Sequence, residues 1–202
     1  MEERYSGNVA RVPSTTPPAD AQSAQVHPDA PKSGQEIPSH LEHCFGCGPS
    51  HPTGLRIRST AGEGASITSI FTVSEFHQGA PGLAHGGILT LACDEVLGHL
   101  MWLLRKPAVT GRLETDFLLP VPVGSVIHLS AEILGVSGRK VYSRCEGRLN
   151  SPDGPVAIRA QSLFVIVDMQ HFLDSAPEDY LTRIQGNPAL MREIDSSFEV
   201  NP

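Results

Sequence analysis

Basic clusters and long uncharged apolar runs are both scarce in this sequence. Aromatic residues make up 5% of its 202 residues, and Asp and Glu outnumber Lys and Arg by 22 to 15. Nucleic-acid-binding proteins carry basic stripes interleaved with aromatic side chains, so no nucleic-acid partner is expected. The apolar segment 86–104 contains Asp94, Glu95 and His99, which argues against a membrane span. Met1-Glu2-Glu3-Arg4 begins no recognisable targeting signal, so the default expectation is a soluble cytoplasmic protein.

The negative charge is concentrated outside the middle of the chain. Residues 54–168 hold 10 Lys or Arg and 10 Asp or Glu, whereas residues 1–53 hold 3 and 6. Residues 1–38 are rich in Pro, Ala, Ser, Thr and Gln and have few large apolar side chains, which predicts a disordered arm. We expect one domain over residues 39–168. Residues 169–202 are interpreted as an extension, partly helical around residues 177–181 and then flexible.

Four cysteines test the metal and redox interpretations. Cys44-Phe45-Gly46-Cys47 has the ligand spacing of a zinc knuckle, and three histidines lie nearby in the sequence: His40, His43 and His51. A second Cys pair is missing. The favoured interpretation is a tight, buried turn with reduced thiols, and the alternatives are a metal site that uses the nearby histidines or redox chemistry. No metal is therefore assigned, and Cys93 and Cys145 are expected to be small buried hydrophobes.

Hydrophobic periodicity predicts the order of the elements. Alternating apolar and polar residues, separated by Gly, Ser, Pro and Asp, predict strands at 54–58, 66–73, 109–119, 126–136, 140–150 and 156–168. A loop from Ser74 to Ala84 precedes a helix from about Gly86 to Arg105, which is apolar around most of its circumference and is stopped by Pro107. This order predicts an α+β fold in which an antiparallel sheet wraps around one long central helix.

The start of this helix carries an unusual set of residues, His85-Gly86-Gly87, with a carboxylate two turns inside the helix at Asp94. Glycines let a ligand approach the unpaired N–H groups at the positive end of the helix dipole, where an oxygen that gains negative charge would be stabilised. At about 100° per residue, Glu95 points a quarter turn away from Asp94, and His85 lies on roughly the opposite side. We therefore interpret His85 as a structural hydrogen bonder at the start of the helix.

Several motifs surround this helix in a fixed order. They are Cys44-Phe45-Gly46-Cys47-Gly48, Pro52-x-Gly54-Leu55, Gln78-Gly79, Pro81-Gly82, His85-Gly86-Gly87 with Asp94-Glu95, and Phe117-Leu118-Leu119-Pro120-Val121-Pro122-Val123-Gly124. Over about residues 43–168 the sequence resembles the hotdog-fold acyl-CoA thioesterases, in particular the phenylacetate-pathway and human thioesterase-superfamily branch. The resemblance implies hydrolysis of an acyl-CoA or acyl-carrier thioester and a place in lipid metabolism. Coenzyme A would enter as part of the substrate, with no other cofactor.

The resemblance also implies roles for single residues. Gly86 would donate its N–H to the thioester carbonyl, and Asp94 would act as general base or as nucleophile. The candidate substrate-binding residues are His85, Gly87, Gln78, Gly79, Glu95 and Thr110. Gly79 stands where some relatives carry a side-chain amide, and Gln78 beside it is a candidate replacement. The candidates for contact with the phosphates of coenzyme A are Arg105, Lys106, Arg139 and Lys140.

The resemblance implies a homodimer or a tetramer of dimers with active sites at the subunit interface. The helix start of one chain would then face Asp94 of the partner subunit. The alternative is a noncatalytic acyl-CoA or acyl-carrier-binding protein, which the missing amide at Gly79 supports. A hotdog dehydratase or hydratase is disfavoured because no histidine stands out at a matching position. The length and type of the acyl chain cannot be read from the sequence.

Overall fold

The computed structural model of the chain describes residues 13–168 together with residues 171, 172, 174, 176 and 177. Its strands and helices follow one another as β1 (Glu36–Ile37), β2 (Arg58–Ala61), β3 (Ser66–Thr72), β4 (Gln78–Ala80), β5 (Leu83–Ala84), α1 (Gly86–His99), α2 (Met101–Leu104), β6 (Ala108–Phe117), β7 (Val126–Ser137), β8 (Lys140–Leu149) and β9 (Val156–Ile166). The helix predicted around residues 177–181 lies outside the described residues, except for Pro177.

Seven strands form one antiparallel sheet in the order β1-β2-β3-β7-β8-β9-β6. Successive side chains of a strand point to opposite faces, so one face of such a sheet can pack on a core. In β3, Ile67 and Phe71 are buried, whereas Ile70 between them is 54% exposed. A separate two-stranded hairpin, β4 and β5, leads into α1.

The long helix α1 packs against the sheet. It contacts β3, β6, β7, β8 and β9, and its side chains Cys93, Val96 and Leu97 are completely buried. Burial of a side chain such as Leu97 stabilises a fold by about 1.5–3 kcal/mol relative to exposure. The sheet therefore wraps around one central helix, and the predicted α+β arrangement is confirmed.

The helical segment Gly86–Leu104 is long and apolar enough to cross a membrane by length and composition alone. More than half of it is buried inside the structure, where strands of the sheet cover it. A core helix passes the same test of length and composition, so we interpret the segment as the core helix of the domain.

The helix differs from the prediction near its end. The expected continuous helix from Gly86 to Arg105 is divided at Leu100, whose N–H donates to the carbonyl of Leu97 at 3.3 Å. This bond spans three residues and tightens the helical turn. Arg105 then adopts a left-handed conformation, with φ of 50°, and ends α2 one residue before the predicted end.

Two sequence predictions around the helix are wrong in detail. The strand predicted at residues 54–58 is displaced to Arg58–Ala61, because Arg56 has a φ of 53° and interrupts extended backbone. The alternation of apolar and polar residues did predict which side chains are buried, since Leu55 and Ile57 are 7% and 2% exposed. Their N–H groups donate to carbonyls of the Cys44–Cys47 turn. The predicted loop from Ser74 to Ala84 contains a 3₁₀ turn and the hairpin β4–β5.

Residues 13–38 were predicted to be part of a disordered arm, whereas in the structure they follow the surface of the domain. Gln22 forms a backbone bridge with Val136, and β1 pairs with β2. Ala30 and Ile37 are only 4% and 3% exposed. A few small apolar side chains and backbone hydrogen bonds order this segment, which average composition does not reveal. Residues 1–12 lie outside the described part of the chain.

Candidate active site

The N-terminus of α1 presents a backbone N–H group to the surface. His85 is the N-cap residue, and its Nδ1 accepts a hydrogen bond from the N–H of Gly87 at 2.9 Å. The carbonyl of His85 accepts from the N–H groups of Ile88 and Leu89. Within the described residues, the N–H of Gly86 has no hydrogen-bond partner. His85 thus caps the helix, and Gly86 offers a donor at the positive end of its dipole.

A cavity of about 290 Å³ opens beside Gly86. The residues that line it are apolar, and their backbone atoms add polar surface. They come from β5, α1, the end of β6 and the segment after it: Leu83, Ala84, Gly86, Leu89, Phe117, Leu118, Leu119, Pro120 and Val121. The ring of Phe117 lies 3.3 Å from the position that a Cβ on Gly86 would occupy. An apolar chain therefore fits next to the N–H of Gly86.

Asp94 lies two turns further along α1 and meets Thr110 of β6. The Thr110 hydroxyl donates to Asp94 Oδ1 at 3.0 Å. This contact depends on an irregularity in the pairing of β6 with β9, where Thr110 pairs with Phe164 and Arg112 with Leu163, so that Gly111 has no partner. A bulge of this kind bends the strand and re-aims the side chains next to it.

Burial raises the pKa of Asp94 above its usual range, and the nearby negative charge of Glu95 adds to this effect. The hydrogen bond from Thr110 acts in the opposite direction but does not cancel it. A carboxylate with a raised pKa accepts a proton more readily than an exposed one. Asp94 is therefore suited to proton transfer.

Glu95 meets different residues from its neighbour Asp94. Its Oε1 lies 3.0 Å from His99 Nε2, and the Cys44 Sγ lies 3.4 Å from its Oε2. Burial acts to raise the pKa of Glu95, but the contacts with His99, Cys47 and His40 outweigh it and lower the pKa to about 2. Glu95 was a candidate substrate-binding residue, and the structure brings it to the Cys44–Cys47 turn.

The two thiols of this turn influence each other. All four cysteines are free, and the hydrogen bond between the two side chains lowers the pKa of Cys44 to about 4 and raises that of Cys47. Gly46 packs directly on the Glu95 carboxylate, and a Cβ at this position would overlap the carboxylate. Within this turn Cys47 is buried and Cys44 is partly exposed, and the turn is joined to the middle of α1 through Glu95.

Gln78 and Gly79 lie in the hairpin before α1. Gln78 Oε1 accepts from the N–H of Gly82 at 2.6 Å and so holds the hairpin turn. A Cβ on Gly79 would lie 2.6 Å from the Cα of His85, so a larger residue would displace the start of the helix. In this arrangement Gly79 supplies no amide, and the carbonyl end of the Gln78 amide is engaged within the hairpin.

Gly86 and Asp94 are too far apart to act on one bond within a single chain. Eight residues of α-helix separate them by about 12 Å along the helix axis. The cavity beside Gly86 has no contribution from Asp94 in its lining. The Gly86 N–H and the Asp94 carboxylate of one chain therefore cannot contact the same substrate atoms.

The candidate cations belong to two segments that the backbone joins at the end of the sheet where β6 begins, and the guanidinium groups of Arg105 and Arg139 donate to the carbonyls of Asp29 and Ile166. The carbonyl of Pro107, just after α2, accepts from the N–H of Val167, and the carbonyl of Arg139 accepts from the N–H of Ile166. These bonds join the end of α2, with Arg105 and Lys106, to the β7–β8 turn, with Arg139 and Lys140. Thr110 and Asp94 lie near this end rather than near Gly86.

Residues 81–156 match a family model described as the thioesterase superfamily, a segment that spans β5, α1 and most of the sheet. Over this segment the chain is similar to the thioesterase superfamily. Residues 39–168 form a domain with the hotdog fold, an antiparallel sheet around one long helix, and a solved thioesterase superfamily protein resembles it with a TM-score of 0.57 and 28% identity. That similarity covers 61% of this chain and 60% of the other.

The curated proteins that this chain resembles include acyl-coenzyme A thioesterase THEM4 of Xenopus laevis, 28% identical over 49% of this chain and 44% of the relative. Acyl-coenzyme A thioesterase THEM5 of Mus musculus is 32% identical over 38% of this chain and 31% of the relative. The match thus spans less than half the length of these curated relatives.

Sequence reasoning missed His99 in this domain. The imidazole is 2% exposed, contacts Glu95 four residues earlier, and exchanges a hydrogen bond of 2.7 Å with the Ser59 hydroxyl. The signal for the first contact was present, since residues four apart lie on one helix face. The second contact joins residues 40 positions apart and leaves no periodic signal.

Proposed function

We propose that this chain is an acyl-CoA thioesterase that hydrolyses the thioester of an acyl-CoA or acyl-carrier substrate. The observation that carries the proposal is the N–H of Gly86, which has no partner among the described residues and borders an apolar cavity at the positive end of α1. The names of the curated relatives support the same activity. The expected cytoplasmic location and the link to lipid metabolism rest on the sequence alone.

In this proposal the Gly86 N–H donates to the thioester carbonyl oxygen and stabilises the negative charge that develops on it. Asp94, as the carboxylate, takes a proton from a water molecule while that water attacks the carbonyl carbon. The tetrahedral intermediate then collapses, the C–S bond breaks, and the thiol leaves with the proton that Asp94 returns. In the alternative route Asp94 attacks the carbonyl carbon directly, the C–S bond breaks and the thiolate leaves. Water then hydrolyses the resulting anhydride, which restores the Asp94 carboxylate, and the proton released from this water passes to the thiolate.

The distance between Gly86 and Asp94 supports a site shared by two subunits. We propose a homodimer, or a tetramer of dimers, in which Gly86 of one chain and Asp94 of the partner subunit face the same thioester. The last residue of the edge strand β6 and the two residues after it are exposed and apolar, and they lie at the rim of the cavity: Phe117, Leu118 and Leu119. Such a patch is typical of a surface that another chain covers. The cations Arg105, Lys106, Arg139 and Lys140 would hold the phosphates of coenzyme A near the Asp94 side.

The first test measures thiol release from a panel of acyl-CoAs. We expect the wild type to release thiol with some acyl chains and Asp94→Asn to lower kcat by about 10²–10⁴-fold while its fold and oligomeric state are kept. Undiminished hydrolysis by Asp94→Asn would overturn the role of Asp94. Sensitivity to Glu95→Gln instead would move that role by one residue.

The second test removes the proposed donor without changing the helix. Gly86 is the first helical residue, a position that tolerates proline, and His85 before it is already extended, with ψ of 132°. Gly86→Pro deletes the N–H group, whereas Gly86→Ala keeps it and adds a similar Cβ contact with Phe117. We expect Gly86→Pro to lower kcat by about 10²–10³-fold and Gly86→Ala to stay within about threefold of the wild type. Equal effects of the two variants would contradict the donor role.

A noncatalytic acyl-CoA-binding protein is the second candidate. It is favoured by the absence of a side-chain amide at Gly79 and by the engagement of Gln78 Oε1 with Gly82. The same panel separates the two functions. Saturable binding of acyl-CoA to the wild type without thiol release from any chain would establish the binding protein.

A further inference from the structure

Four side chains with metal-binding atoms converge beside the middle of α1. One ligand atom from each of His40, Cys47, Glu95 and His99 can be chosen so that all lie within 4.8 Å of one another. Two of the residues belong to the segment around the Cys44–Cys47 turn, and two belong to α1. This cluster lies outside the proposed thioesterase machinery of Gly86, Asp94 and Thr110.

The separations fit a small coordination sphere. Cys47 Sγ lies 3.3 Å from His40 Nδ1, His40 Nδ1 lies 3.6 Å from Glu95 Oε1, and Glu95 Oε1 lies 3.0 Å from His99 Nε2. Bonds of about 2.0–2.3 Å to a tetrahedral metal ion place its ligand atoms about 3.3–3.7 Å apart. The cluster therefore needs only small shifts to surround one ion.

Two of the four ligand atoms are buried polar atoms with unmet hydrogen-bonding capacity. Among the described residues, neither Glu95 Oε1 nor His99 Nε2 has a hydrogen-bond partner. The two atoms are close to each other, but the ring N–H is not directed well enough at the oxygen to form a hydrogen bond. Buried polar atoms are almost always satisfied in folded proteins, and a cation between these two would satisfy both.

Hydrogen bonds from neighbouring residues orient the side chains of the cluster, as they orient the ligands in known metal sites. His99 Nδ1 hydrogen-bonds with the Ser59 hydroxyl at 2.7 Å, and Ser59 hydrogen-bonds with Ser69 at 2.6 Å. This leaves His99 Nε2 facing the cluster. The Ser39 hydroxyl lies 3.3 Å from Cys47 Sγ. Metal-binding histidines usually use their second ring nitrogen in such a contact, which fixes the tautomer and the ring orientation.

We propose that His40, Cys47, Glu95 and His99 bind one divalent transition-metal ion, with Zn²⁺ as the best match to the donor set. Imidazole nitrogen, thiolate sulfur and carboxylate oxygen are the ligands that Zn²⁺ takes in proteins. One thiolate and one carboxylate neutralise its charge. Four protein ligands close a tetrahedral site, so the ion would be structural and would fix the Cys44–Cys47 turn to α1. This departs from the sequence expectation, which assigned no metal.

The test uses the full chain without a histidine tag, stripped of metal with a chelator and then titrated with Zn²⁺ or Co²⁺. We expect about one ion per chain and, with Co²⁺, the absorption band of a thiolate-to-metal charge transfer. Cys47→Ser and His99→Gln should weaken metal affinity by at least about 100-fold, and Ser59→Ala by about 10–100-fold. His40→Ala should also weaken binding, and it should fold normally because the His40 side chain is 43% exposed.

Cys44→Ser is the matched control, because it removes a thiol from the same turn that is not among the four ligands. It should keep both the stoichiometry and the charge-transfer band. The proposal is overturned if the wild type binds no stoichiometric metal. It is also overturned if Cys44→Ser loses the metal as Cys47→Ser does, or if Cys47→Ser binds the metal with wild-type affinity. A metal-free chain that is two hydrogens lighter through a Cys44–Cys47 disulfide would also overturn it. The metal measurement is independent of thioester hydrolysis and can be repeated on Asp94→Asn.

Discussion

Asp94 and Glu95 are consecutive residues of one helix, yet their surroundings have opposite effects. Asp94 has one hydroxyl partner, Thr110, and burial raises its pKa. Glu95 is also buried, but it lies among His99, Cys44 and the Cys44–Cys47 turn, and its pKa is lowered to about 2. The quarter turn between adjacent helix positions directs one carboxylate to β6 and the other to the Cys44–Cys47 turn.

This difference shows that burial alone does not decide what a carboxylate does. Burial disfavours the charged form of both groups, and the outcome depends on the partners that oppose it. Asp94 keeps little compensation and is available for proton transfer. Glu95 contacts both His99 and the Cys44–Cys47 turn, which suits a residue that holds two segments together. A substitution on one side of α1 should therefore leave the contacts of the other side intact.

The largest expected effect is on stability. Glu95→Gln removes a carboxylate that contacts His99 and the Cys44–Cys47 turn, so we expect the metal-free protein to lose about 1–3 kcal/mol of its free energy of unfolding. Asp94→Asn replaces a poorly compensated carboxylate by a neutral group of the same shape, and it should change this free energy by no more than about 0.5 kcal/mol. Urea unfolding of the two variants at neutral pH measures both. Equal losses would show that the two sides of the helix do not differ as described.

A smaller effect is expected from the hydroxyl that contacts Asp94. Thr110→Val removes a hydrogen bond worth about 1 kcal/mol and should lower kcat by about five- to tenfold with little change in KM. Thr110→Ser should restore most of the rate. Steady-state measurements of thiol release give kcat and KM for both variants.

Thr115 on the same strand supplies the matched control for Thr110. Its hydroxyl oxygen is buried and has no hydrogen-bond partner among the described residues. Thr115→Val should therefore leave kcat unchanged and leave the free energy of unfolding equal or higher. If Thr115→Val lowered kcat as much as Thr110→Val, the effect would not be specific to the hydroxyl that contacts Asp94.

The smallest expected effect concerns His77, a histidine with no carboxylate partner in the described part of the chain. Burial lowers the pKa of His77 below 6.5, and its Nδ1 accepts from the Ser74 N–H at 2.9 Å, as a neutral ring does. The unfolded chain binds this proton more readily, so the stabilisation is complete above a pH of about 6.5 and is lost as the pH falls below it. Urea unfolding should show a shallower loss between about pH 7 and pH 5 for His77→Gln than for the wild type. Parallel curves would contradict this.

Parts of the fold were predictable from the sequence because local pattern and tertiary environment agree. The alternation in β3 and the glycine pair at the start of α1 are cases of this kind. The strand expected at 54–58 failed because the positive φ of Arg56 depends on tertiary contacts that the alternation of Leu55 and Ile57 does not encode. In the candidate site, the direction of Asp94 followed from helix geometry. Its contact with Thr110 depends on the bulge at Gly111, which periodicity does not reveal.

The two-turn separation of Gly86 and Asp94 along α1 has a consequence at the level of the population of chains. If each site takes its donor from one chain and its carboxylate from the other, a chain with Gly86→Pro and a chain with Asp94→Asn are each inactive alone but can complement each other. A mixed dimer contains one intact site and one site with both defects. Random reassortment of equal amounts would thus recover about a quarter of the wild-type activity. Activity would then be a property of the dimer, and one inactive variant would be partly complemented by the other.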